Sequence, residues 1–135
     1  MRERQLIDAV NRGVPKSIHR QSLTGASMTS NGTPDYLYDG PGGLLFVEYK
    51  QLKSMPRSGV VVGALTELQY TWLERRYNNS LAHRPNASVV VGLPNRTAVI
   101  QRTPTEWRNG TPITSAVALK EVSVWIEEFC SQHSG

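Results

Sequence analysis

The sequence predicts an α/β fold with its elements in the order α-β-β-β-α-β-β-α. Two features carry this reading. Apolar, β-favouring runs occur in pairs joined by dense turn signals, Asp39-Gly40-Pro41-Gly42-Gly43 in one case and Pro94-Asn95-Arg96 in the other. Around these pairs lie segments whose apolar residues recur at helical spacing.

The first segment is a short helix. Leu6, Ile7 and Val10 share a face, Glu3 lies one turn before them, and Gly13 and Pro15 stop it. Residues 16–31 are polar, and within them Ser17–Gln21 forms a short strand before a mobile loop. A strand starts between Thr33 and Tyr38, and the Gly-rich turn leads into Leu44–Lys50, an apolar run that ends in charge. The two make a hairpin. Residues 51–64 read as a basic loop. A helix then runs from Thr66 to about Tyr77, with Leu68, Trp72 and Leu73 on its apolar side and Asn78-Asn79-Ser80 at its end. Ser88–Leu93 and Thr97–Gln101 form a second hairpin. Residues 102–113 are irregular, anchored by Trp107. A last helix covers about Ser115 to Gln132, where Val122, Trp125, Ile126 and Phe129 form an amphipathic stripe.

A chain of 135 residues fits one domain over 1–135, with no internal repeat or linker. The net charge of +4 suits a nucleic-acid partner without requiring one. Cys130 is the single cysteine, so no intramolecular disulfide can form, in keeping with a reducing interior. No apolar run of signal-peptide length follows Met1–Gln5, and no stretch approaches the roughly 20 apolar residues of a membrane span. The expected setting is intracellular and soluble. The Asn31-Gly32-Thr33 and Asn95-Arg96-Thr97 sequons are then accidental.

The residues that carry chemistry are Pro34-Asp35 and Glu48-Tyr49-Lys50. Glu48 and Lys50 are two apart on a strand and share a face, while Tyr49 points to the other. Asp35 sits near the start of the partner strand, so the two carboxylates can approach. Such a pair repels unless a cation lies between, and hard oxygen ligands suit Mg²⁺ or Mn²⁺. Either motif alone is ordinary: Pro-Asp is common at turns, and Glu-x-Lys on exposed strands. The apolar run Leu44–Val47 places the charges where a buried strand reaches the sheet rim.

Gly32-Thr33-Pro34-Asp35, Phe46-Val47-Glu48-Tyr49-Lys50 and Leu65-Thr66-Glu67-Leu68-Gln69 with Trp72-Leu73 resemble the PD-(D/E)XK nuclease superfamily. They are most similar to its small, phage-type virus-type replication-repair nuclease (VRR-NUC) group. The resemblance covers about residues 3–93. It implies a restriction-endonuclease-like core with a central mixed sheet, divalent-metal catalysis and DNA as substrate; a phage-encoded protein would work in the host cytoplasm. It makes Asp35 and Glu48 metal ligands, the Tyr49 carbonyl a further one, and Lys50 the catalytic lysine. It also places Gln69 near the site, although Thr66-x-x-Gln69 is equally a capping box that closes a helix start. Glu3 is either the helix carboxylate that completes the site or a solvated acid favoured by the helix dipole.

His19 either approaches the scissile phosphate or is structural. Lys53 and Arg57 follow the catalytic strand, where they contact DNA phosphates or simply solvate a loop. Arg75 and Arg76 offset the helix dipole, and Trp72 and Trp125 belong to the core. The expected activity is Mg²⁺- or Mn²⁺-dependent endonucleolytic hydrolysis of DNA. The alternatives are a junction-resolving or structure-selective nuclease acting as a homodimer, a homing or nicking endonuclease, an RNA nuclease, and a catalytically silent DNA-binding module. No separate DNA-reading module is recognisable.

Overall fold

The computed structural model describes residues 1–23, 32–81 and 84–131. Most of the loop expected before Thr33, and Gln132 of the last expected helix, lie outside them.

The chain begins with α1 (Glu3–Arg12), whose apolar face buries Leu6, Ile7 and Val10 and which ends at Gly13. Strand β1 (His19–Ser22) is exposed throughout and pairs antiparallel with β2 (Tyr36–Gly40). Strand β2 turns tightly, with Gly40 opposite Gly43, into β3 (Gly43–Gln51). Next come β4 (Val60–Val61), α2 (Glu67–Asn78), β5 (Ala87–Gly92) and β6 (Thr97–Gln101). The chain continues through α3 (Pro104–Asn109), β7 (Thr111–Pro112), a 3-10 turn at Ile113–Ser115, β8 (Val117–Ala118) and α4 (Leu119–Ser131).

The main sheet has six strands in the order β1-β2-β3-β5-β6-β8. All neighbours are antiparallel except β3 and β5, which run parallel with α2 as their crossover. The sheet is therefore mixed, as expected. Period-two alternation decides what each face of β3 meets. Leu45, Val47 and Tyr49 pack with Leu6, Val10, Val122 and Ile126 of α1 and α4. Phe46 faces the other way and meets Trp72 of α2 edge-on, ring centroids 5.2 Å apart. Strand β5 is buried on both sides, the usual fate of a strand covered by helices on two faces. Val90 joins the first cluster; Val89 and Val91 join Leu73 and Trp107 in the second.

Three expectations are corrected. The region 102–113 is not irregular: Thr103 caps a helix that has Pro104 in its first turn. This helix has 6 residues, too few to show a periodic stripe. The basic loop holds β4, which pairs with β7 as a small separate ribbon. The last helix starts at Leu119, because residues 117–118 extend the sheet beside β6.

Trp107 is the anchor the sequence suggested. It is 2% exposed, its indole N–H donates to the Gln101 carbonyl at 2.8 Å, and Tyr70 and Tyr77 meet its ring edge-on. Trp107→Ala is expected to cost about 3–5 kcal/mol, read as a lower urea midpoint. A loss under about 1 kcal/mol would mean the α3 side carries little of the core's stability.

Candidate active site

Strand β2 begins one residue after Asp35, and Tyr36 lies opposite Val47. Asp35 therefore sits across from Glu48. The Asp35 carbonyl accepts the Leu23 N–H at 2.9 Å, and its Oδ2 accepts the Tyr49 N–H at 2.8 Å. The side chain thus takes a donor from the next strand beyond the end of the ladder, and its carboxylate is held against β3.

Glu48 and Lys50 share the β3 face that turns toward α2. Glu48 is only 2% exposed, so its place on the sheet is enclosed and not open to solvent. The parallel partner β5 and the first turn of α2 enclose it. Its Oε2 accepts from Gln69 Nε2 at 3.1 Å and lies 3.6 Å from Lys50 Nζ. Its Oε1 is buried without a hydrogen-bond partner. Burial, and then the neighbouring Asp35, push the Glu48 carboxyl up to about 8, against the pull of Lys50. Burial also raises Asp35, although the Tyr49 N–H and Lys50 oppose it.

Gln69 resolves a choice that the sequence presented as exclusive. Its Oε1 accepts the Thr66 N–H at 3.0 Å, while the Gln69 N–H donates to Thr66 Oγ1 at 3.1 Å. That is a complete capping box. The other end of the same amide, Nε2, reaches Glu48. One side chain both closes the helix start and holds the carboxylate.

Glu3 is within electrostatic range of the pair: burial, and then Asp35, raise its carboxyl above the usual range. Among the described residues, however, no three His, Cys, Asp or Glu side chains converge closely enough to hold a metal ion. Glu3 stands as a charged neighbour of the Asp35–Glu48 pair. The structure does not bring His19 to the carboxylates. It lies opposite Asp39, four residues along β2 from Asp35 and so roughly 13 Å away. Lys53 and Arg57 are exposed in the segment that leaves β3 just past Lys50. Arg76 donates to the Asn79 carbonyl at the end of α2.

The Tyr49 ring was missed as a participant. It is fully buried, its hydroxyl meets that of Tyr38 at 2.6 Å, and Tyr38 donates to Asn11 Oδ1 at 2.6 Å. This chain ties α1 to β2 and β3 directly behind the carboxylates. The alternation Tyr36-x-Tyr38 beside Tyr49 was its sequence signal.

The residues fit a divalent cation. Two close carboxyls, one carrying a buried oxygen with no donor, form an arrangement that a proton relieves poorly and a cation relieves fully. Asp35 and Glu48 would hold it.

The comparison of structures decides the fold. The chain matches the 1.6 Å structure of Hjc from Archaeoglobus fulgidus, a Holliday junction resolvase from an archaeal hyperthermophile. Identity is 15%, the TM-score is 0.52, and the match covers 92% of this chain and 97% of that one. The chain shares the fold of that structure. This is a restriction-endonuclease-like core, a mixed sheet flanked by helices, and the likeness spans nearly the whole of both chains. No protein-family model and no curated protein matches the chain. Among the described residues, no helix is long and apolar enough to cross a membrane.

Proposed function

We propose that the chain is a divalent-metal-dependent endodeoxyribonuclease of the PD-(D/E)XK kind, acting on branched DNA as a symmetric dimer. The carrying observation is the Asp35–Glu48–Lys50–Gln69 cluster with its unpartnered Glu48 Oε1, set on a resolvase fold. The near-complete overlap with a junction resolvase supports the junction-resolving alternative over an endonuclease of unspecified DNA substrate. A C₂ dimer suits this substrate, because one symmetry axis presents two sites to two strands. The narrower likeness to VRR-NUC enzymes rests on the Gly32–Asp35, Glu48–Lys50 and Gln69 motifs alone.

When bound, Mg²⁺ or Mn²⁺ would supply Lewis-acid polarisation of the scissile phosphate and lower the pKa of water so that hydroxide is available as the nucleophile. Asp35 and Glu48 would hold the ion, with the carbonyl of Tyr49, the residue after Glu48, as a further ligand. Gln69 keeps the Glu48 carboxylate from rotating. Lys50 is 21% exposed in its side chain, so its ammonium can reach a phosphate and offset charge that grows on phosphorus. Lys53 and Arg57 contact flanking phosphates, which position DNA without reading its sequence.

Four-way junction, flap and linear duplex DNA, each incubated with Mg²⁺ or Mn²⁺, test this reading. Paired nicks placed symmetrically across the junction, with little cleavage of duplex, are the expected result. Equal cleavage of all three would remove the junction preference. Binding without cleavage in either metal would favour a silent DNA-binding module.

A further inference from the structure

Gly32 is buried and adopts a φ of +74°, a region that side-chain-bearing residues rarely enter. Its open side faces the first turn of α2. A methyl group there would lie 2.7 Å from the Gln69 backbone nitrogen and still nearer the Leu68 carbonyl oxygen, where ordinary contact is 3.4–4 Å. Both blocking atoms are backbone, so no rotamer change can clear them. The blocked nitrogen belongs to the residue whose side chain holds Glu48, and its N–H is the one that Thr66 caps. Three residues after Gly32, Asp35 reaches across to the Tyr49 N–H. The segment bearing one carboxylate is therefore pressed against the helical turn that orients the other, at a distance only glycine allows.

We propose that Gly32 is a positioning residue that sets the spacing between Asp35 and the Gln69–Glu48 pair. The inference rests on the nuclease reading for its effect on cleavage, but its structural content stands apart from it. Adding a side chain at residue 32 displaces either the α2 turn or the Asp35 segment, and each displacement separates the two carboxyls. Val90 lies in the other core cluster, on the α1 and α4 side of the sheet.

Gly32→Ala and a variant with one glycine inserted between Gly32 and Thr33 test this. The insertion keeps the Gly32 contact but lengthens the tether to Asp35, and serves if the alanine variant does not fold. In metal-free protein, hydrogen exchange at the Tyr49 amide should speed up at least about tenfold in both variants. Gln69 should follow in Gly32→Ala, while Val90 stays protected. Unchanged exchange at Tyr49 in a folded variant overturns the proposal. In cleavage, Gly32→Ala should lose about 30-fold in kcat. In a Gln69→Ala background the same change should cost less than about tenfold, because the part of the loss carried by the Gln69–Glu48 contact is already gone. Losses that multiply in full would instead mean a general structural defect and overturn the positioning role. Absence of cleavage by the unmodified protein would count against the nuclease reading, and the exchange result would still decide the role of Gly32.

Discussion

Lys50→Ala should reduce metal-dependent cleavage by about a hundred- to a thousand-fold and Asp35→Ala by about a thousand-fold or more, with the folded state retained. The two losses arise differently. Lys50 contributes a cation beside Glu48 at 3.6 Å, close enough to neutralise charge in the transition state. Removing one such preorganised group typically costs about 10²–10³ in kcat. Asp35 is half of the carboxyl pair, so its loss removes the ion and with it several kcal/mol of charge stabilisation. The Lys50 variant should therefore still bind Mn²⁺, and the Asp35 variant should not. Single-turnover cleavage of a four-way junction, paired with Mn²⁺ calorimetry, separates them. Full activity in either variant would remove these residues from the chemistry.

The second large effect has opposite signs in stability and activity. In metal-free protein, Glu48 holds its proton up to about 8, whereas in the unfolded chain it ionises near 4.5. Between those values the unfolded state binds fewer protons than the folded state. Stability therefore falls as pH rises through this window. Glu48→Gln keeps the shape and removes the ionisation. The variant should match the parent near pH 4.5 and exceed it by about 1–2 kcal/mol at pH 8, a gain typical of relieving a strained functional group. Saturating Mg²⁺ should reverse the ranking. At about 100 times its Kd it adds roughly 2.7 kcal/mol to the parent and nothing to the variant. The variant should not cleave. Thermal melts at pH 5 and pH 8, with and without Mg²⁺, read all of this. A variant less stable than the parent at pH 8 without metal would show that the buried carboxylate is already well satisfied.

The hairpin that carries the site was legible because its signals agree. Leu45, Val47 and Tyr49 alternate with Phe46 and Glu48, and the glycine cluster 40–43 permits only a tight turn. The mixed sheet came from the family resemblance, because periodicity does not say which strands run parallel. What stayed hidden has physical causes. A two-strand ribbon such as β4–β7 has no period to read, and α3 is shorter than two turns. The burial of Glu48 depends on β5 and α2 closing over it, and a strand ending in charge looks the same whether its end is solvated or enclosed. Gln69 looked like a choice between cap and site because sequence treats a side chain as one point. Its amide has an acceptor and a donor, and the fold uses them in opposite directions. The distance of His19 from Asp35 follows from the β1–β2 register, which no residue of β1 announces.

The most direct test of the central claim is a crystal soaked in Mn²⁺ and measured at the manganese absorption edge. The account predicts an anomalous peak between the Asp35 and Glu48 carboxylates, with Glu48 Oε1 among its ligands and Gln69 still on Oε2. A fully loaded crystal with no peak there, or with the ion bound elsewhere, would contradict it.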